Sequence, residues 1–203
     1  LSESSKIFAR RGEIGIRFGG SGGQGAVLAA SILGEAAVAE GLCAAGSSSY
    51  GSQARGGAAS SDLIISRGPI DYPHVSRPDV FAGLSQEAYD ESAGKTDPQG
   101  IILYDSFFVK PKDLPGIRQV AVPATRSVLE KLGAGQNANI FMLGVVVGAT
   151  GVVREGAVVE AIESNMDARF KENSRTAFRM GMEFSLNISS ISDESIFGGS
   201  SRR

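Results

Sequence analysis

The chain has 203 residues, 42% of them hydrophobic, and a formal net charge of −2. That length supports one substantial α/β domain, and the near-neutral balance supplies no broad basic field for nucleic acid or an anionic membrane. One cysteine, Cys43, and one histidine, His74, exclude an internal disulfide, a four-thiolate iron–sulfur cluster held by this chain alone and a local Cys–His nucleophile pair.

Residues 1–12 read as a flexible lead without the apolar core of a signal peptide. Ile14, Ile16 and Phe18 then alternate with Gly15 and Arg17, the period of a strand. A glycine-dense turn follows, with Gly20, Gly22 and Gly25 in G-x-G-x-x-G spacing, and an apolar, small-residue helix is expected over Gln24–Glu40, stopped by Gly41. Residues 44–61, AAGSSSYGSQARGGAASS, are too small and polar for a core and read as a loop, before a buried strand at Asp62–Ser66. Pro69, Pro73 and Pro78 make residues 67–78 an extended loop.

Asp79–Leu84 reads as a second buried strand, and Ser85 as the cap of a short helix. Further strands are expected at Ile101–Tyr104, ending at Asp105, and at Gln119–Val122; Pro123 opens a helix over Thr125–Leu132. Asn139–Val147 is a strongly apolar helix with Asn139 as its N-cap and Gly151 as its stop, and its apolar run is too short to span a membrane. Two helices follow at Glu155–Ser164 and Ala168–Phe184, with Phe170, Ala177, Phe178 and Met182 on one face of the second. The serine-rich tail 185–203 is expected to be mobile or ordered only by a partner. This alternation predicts a single α/β domain over 13–184, with a mostly parallel sheet, helices on both faces and a Rossmann-like start, in a cytoplasmic protein.

The candidate site is the turn Gly20, Ser21, Gly22, Gly23, Gln24 and Gly25, where missing Cβ atoms let backbone N–H groups approach a phosphate at a helix N-terminus. A dinucleotide site would also need an acidic residue about 20 residues further on, to hold the ribose. Leu42–Gly51 contains no Asp or Glu, which argues against NAD(P). A plainer use of the glycines is close packing of the helix on the sheet. The second stretch, Ser49–Gly57, offers Tyr50 and Arg55 as groups with reach: Arg55 suits a phosphate or carboxylate, or pins its loop to Asp62. Asp79 and Asp105 fit strand-end carboxylates that cap nearby backbone, so no catalytic pair and no metal site is expected. His74 reads as a surface residue, and Tyr89, Phe107 and Phe108 as interface candidates.

The ordered segments GSGGQG (20–25), SYGSQARGGAASSDLIIS (49–66), RPDVFAGLSQEAYD (77–90), ILYD (102–105), VPAT (122–125), NIFMLG (139–144) and NSRTAFRMG (173–181) resemble the gamma subunit of 2-oxoacid:ferredoxin oxidoreductases, over about residues 13–184. The resemblance implies a multisubunit enzyme that oxidatively decarboxylates a 2-oxoacid, transfers the acyl group to coenzyme A and passes electrons to ferredoxin. It places thiamine diphosphate and Mg in alpha and beta partner subunits and iron–sulfur clusters in a partner subunit or domain. The gamma module would contribute to assembly and to a shared coenzyme A site, which makes Gly20–Gly25, Tyr50 and Arg55 contacts. An indolepyruvate- or phenylglyoxylate-type relative, a purely architectural subunit and an NAD(P)-binding domain are the alternative readings. The tail 186–203 has no counterpart in the resemblance.

Overall fold

The alternation at Ile14, Ile16 and Phe18 does form a strand, β1 (Glu13–Ser21), at the heart of a six-stranded sheet. The computed structural model describes residues 8–9, 11–50 and 57–194. The remaining strands are β2 (Cys43–Tyr50), β3 (Ala58–Ser66), β4 (Val80–Gly83), β5 (Ile101–Asp105) and β6 (Arg118–Val122). Their order is β2-β3-β1-β4-β5-β6. β1, β4, β5 and β6 pair parallel, while β3 pairs antiparallel with both β1 and β2. Only β3 therefore runs against the others, and the sheet is mostly parallel as expected.

The helices are α1 (Ala26–Ala39), α2 (Gln86–Ser92), α3 (Ala124–Leu132), α4 (Ala138–Thr150), α5 (Glu155–Asn165) and α6 (Ala168–Glu194). Side-chain alternation divides the two faces. Ile14, Ile16, Phe18, Val80, Ala82, Ile101 and Leu103 join the main core with α1 and α3–α6, while Phe81, Ile102 and Tyr89 of α2 form a smaller core on the other face. Helix α4 lies inside the protein: all its residues except Gly148 are buried. It therefore shows no polar stripe, and α6 packs along it as an outer layer.

Residues 44–61 depart from the expected loop. Cys43–Tyr50 is an edge strand and β3 begins at Ala58, so the stretch is largely a hairpin. Ser, Ala and Gly have weak strand propensity, so the ladder with β3 decides the conformation here. Ser48 and Ser61, a directly opposed pair, share a hydroxyl hydrogen bond of 3.1 Å. β1 likewise continues through Gly19, Gly20 and Ser21, so the turn proper is shorter than the glycine spacing implied.

Asp62 forms a two-pronged pair with Arg17, directly across the β1–β3 ladder, at 2.5 Å from Nε and 2.8 Å from Nη2; Arg55, its other candidate partner, lies outside the described residues. Nη2 also donates to the Val75 carbonyl at 2.7 Å, which fastens the proline-bearing loop to the sheet. Both side chains are buried.

Helix α6 also runs further than Phe184, because Ser185 and Ile188 continue its buried face after Phe178. Residues 195–203 of the serine-rich tail lie outside the described residues. Of residues 1–12, Phe8 is buried and carries the Arg67 guanidinium over its ring at 5.0 Å, and Arg11 pairs with Asp79 at 3.0 Å.

Candidate functional site: the glycine turn and its cavity

The turn lies where β1 hands the chain to α1, at the carboxyl end of the parallel strands. Gly23 and Gly25 have φ of 92° and 76°, left-handed values that disfavour a side chain. Gly25 is the N-cap of α1; it offers no side-chain cap, and no acidic residue occupies the first turn. The first N–H groups of α1 thus have no intrahelical acceptor and no carboxylate in their own turn, so the positive end of the helix dipole is left for another group.

The turn is held by a small set of bonds. Gly22 N donates to the Gly57 carbonyl at 3.1 Å, and Gln24 N to the Ser21 carbonyl at 3.0 Å. The Gln24 side chain works at both ends: Oε1 accepts from Ser21 N at 2.6 Å, and Nε2 donates to the Leu84 carbonyl at 3.1 Å. That second bond joins the turn to the end of β4. Asn139 is not an N-cap. The cap of α4 is Asn137, the last residue of a short 3-10 turn over Gly135–Asn137, while the buried Asn139 donates Nδ2 to the Gly25 carbonyl at 3.1 Å.

A cavity of about 350 Å³ opens beside the turn, lined by Gly23, Gln24, Leu84, Phe108, Thr125, Gly135, Gln136 and Ala138. These residues follow β1, β4 and β5 or begin α3 and α4, so the cavity sits outside the carboxyl ends of the strands. Helix α1 leaves β1 on one face of the sheet and α2 leaves β4 on the other, which makes this the switch point where ligands of open α/β sheets bind. A larger groove of about 630 Å³ runs between α1 and the β2–β3 hairpin, past Gly34, Val38, Ala44 and Leu63, but it includes none of the residues of the turn.

Tyr50 ends β2 and is 69% exposed. The register sets both Tyr50 and Gly20 against Ala59, so Tyr50 stands two strands from the turn, about 10 Å away at the usual strand spacing. Arg55 lies outside the described residues; it is two positions before Gly57, whose carbonyl holds Gly22. Tyr50 and Gly57, which flank the undescribed residues 51–56, thus lie at the same end of the sheet as the turn.

The strand-end carboxylates act on backbone. Asp105 is fully buried and accepts from Thr125 Oγ1 at 2.5 Å, Thr125 N at 3.1 Å and Phe107 N at 3.1 Å, which caps α3 from β5. Burial pushes its carboxyl above the usual carboxylate range, against the lowering effect of those three donors. Asp79 is raised in the same way, mainly by burial, and accepts from Gly15 N at 2.8 Å. Among the described residues no His, Cys, Asp and Glu group is arranged to hold a metal ion, and no helix is long and apolar enough to cross a membrane.

The pyruvate ferredoxin/flavodoxin oxidoreductase family model matches residues 15–184. The chain belongs to this family. It is 39% identical over 178 residues to the 2-oxoglutarate synthase subunit KorC of Methanothermobacter marburgensis, covering 83% of this chain and 94% of that one. The common gamma subunit of the pyruvate/ketoisovalerate oxidoreductases of Pyrococcus furiosus is 34% identical over 179 residues, with 84% and 96% covered. Among solved structures, the keto/oxoacid ferredoxin oxidoreductase gamma subunit of Geobacter sulfurreducens superposes with a TM-score of 0.77 at 37% identity, over 86% of this chain and 99% of that one. The 2-oxoglutarate:ferredoxin oxidoreductase of Magnetococcus marinus, solved with 2-oxoglutarate, coenzyme A and succinyl-CoA bound, shares the fold at 19% identity with a TM-score of 0.78; this chain covers 31% of that one. The chain is thus a gamma subunit of a 2-oxoacid:ferredoxin oxidoreductase, one component of a multisubunit enzyme.

Proposed function

We propose that this gamma subunit forms one wall of the coenzyme A site of its assembled enzyme, with the glycine turn as a phosphate anchor. The observation that supports this most is the uncapped N-terminus of α1, opening between left-handed Gly23 and Gly25 beside a cavity at the sheet's switch point. Phosphates of coenzyme A are dianionic or nearly so, and backbone N–H groups there meet them without any desolvated counter-charge. Gly20, Ser21, Gly22 and Gln24 shape that turn, and Tyr50 and Arg55 belong to the neighbouring hairpin end. The guanidinium of Arg55 supplies the side-chain charge that the turn lacks.

The bond-making chemistry belongs to partners. Thiamine diphosphate with Mg, held between alpha and beta subunits, supplies the carbanion chemistry of 2-oxoacid decarboxylation. Iron–sulfur clusters in a ferredoxin-like subunit or domain take the electrons to ferredoxin, in a cytoplasmic complex. This chain's part is to bind and orient the acyl acceptor and to complete the assembly.

Arg55→Ala should raise the KM for coenzyme A of the assembled enzyme about ten-fold or more, the scale of one lost charge-assisted contact, while the complex still assembles. Steady-state kinetics with coenzyme A varied at saturating 2-oxoacid measures it, and unchanged coenzyme A kinetics would remove Arg55 from the site. A dinucleotide reading finds less support: in place of a parallel second strand ending in an acid, β1 has antiparallel β3 beside it, and β2 ends in Ser49 and Tyr50.

A further inference from the structure

We infer that Asn139 is a positioning residue for the acyl-acceptor site, retained for the shape of the glycine turn at the expense of stability. The inference rests on the reading of that turn as a coenzyme A contact. Asn139 sits in the first turn of α4, 114 residues from Gly25, and donates to the Gly25 carbonyl at 3.1 Å. Yet that carbonyl already accepts the first intrahelical bond of α1, from Ala29 N at 3.0 Å. The Asn139 bond is therefore not needed to satisfy a buried group.

Its other end makes the point sharper. Asn139 is 4% exposed, and its Oδ1 is buried with no hydrogen-bond partner among the described residues. An unsatisfied buried acceptor is destabilising, whereas an apolar side chain of similar shape carries no such penalty. Turning the amide over would set Oδ1 against the Gly25 carbonyl, oxygen against oxygen, so the donor end is committed to Gly25. On stability alone, leucine would serve better than asparagine here.

What Asn139 does supply is position. Its amide fills the space where a Cβ on Gly25 would stand, and it grips the one carbonyl that fixes the direction of the left-handed N-cap. Gln24 grips the other side of the turn, at Ser21 N and the Leu84 carbonyl. Together they tie the turn to α4 and to β4. An anchor built of backbone N–H groups loses affinity when its geometry is loose, because the bound ligand must then bear the cost of ordering it.

The test uses the assembled enzyme carrying Asn139→Leu. The thermal midpoint of the complex should equal or exceed that of the unaltered enzyme, while the KM for coenzyme A rises about ten-fold, the typical effect of losing preorganisation at one hydrogen-bonded site, and the KM for the 2-oxoacid moves less. Val158→Ala, in the buried face of α5 away from the turn, is the stability control. It should lower the midpoint and leave both KM values in place. Gln24→Ala, on the partly exposed turn, should raise the coenzyme A KM in the same direction and covers the case in which Asn139→Leu fails to assemble.

An unchanged coenzyme A KM in Asn139→Leu overturns the inference, as does an unchanged value in Gln24→Ala where Asn139→Leu does not assemble. Arg55→Ala measured alongside tells the two failures apart. If Arg55→Ala alone moves the coenzyme A KM, coenzyme A still binds this subunit through Arg55 and Asn139 has no positioning part. If neither moves it, the coenzyme A reading itself is wrong.

Discussion

Gly181→Val should cost this domain about 3 kcal/mol or more, enough to threaten folding in a protein of ordinary stability. A side chain at Gly181 of α6 would overlap the Phe141 carbonyl of α4, and one at Gly144 of α4 would overlap the Phe178 carbonyl of α6. Each of these two glycines thus presses onto the other helix's backbone, whereas Gly148 meets the Ser185 side chain. The obstacle is main chain, which cannot swing aside as a side chain can. Relief requires the helices to separate, and that strips contacts from Phe141, Val145, Ala177 and Phe178, all buried in the main core. Urea denaturation of the purified chain measures the effect; a loss below about 1 kcal/mol would mean that the two helices slide apart freely.

Asp62→Ala is the second large effect. It would leave the Arg17 guanidinium buried beside an empty space, with only the Val75 carbonyl to receive it among the described residues, and breaking a buried pair on one side typically costs about 3–5 kcal/mol. Arg17→Leu combined with Asp62→Leu removes both charges and should recover much of that loss, because neither partner is then stranded. A denaturation series on Arg17→Leu, Asp62→Leu and the double variant gives the coupling. Strictly additive losses would show that the pair contributes no mutual interaction.

The parts of the fold that could be read from the sequence are those in which local pattern and tertiary environment agree. Ile14, Ile16 and Phe18 alternate because one face of β1 meets α1 and the other meets Val75 and Ala88. Ser85 was legible as a cap, and its Oγ accepts from Ala88 N at 3.3 Å. The turn itself was legible because left-handed backbone selects glycine at Gly23 and Gly25. The β2 strand was not: AAGSSSY has no apolar alternation, since the edge strand is exposed over most of its length and its pairing with β3 supplies the order.

The finer construction of the site was hidden for a different reason. The bond from Asn139 to Gly25 spans 114 residues, and that from Gln24 to Leu84 spans 60, so no local signal marks either. At the head of an apolar helix, asparagine has an obvious local use as a cap, and here the long-range use prevails because Asn137 already holds that position. The Arg17–Asp62 pair was hidden in the same way, since the register that sets the two opposite each other follows only once β3 is known to lie beside β1.

A structure of the assembled enzyme with coenzyme A bound tests the central claim most directly. A phosphate oxygen should lie within hydrogen-bond distance, about 3 Å, of a backbone N–H between Gly23 and Ala26, with Arg55 also in reach of a phosphate. Coenzyme A whose phosphates touch only the other subunits, with the glycine turn left empty or covered by protein, would contradict it.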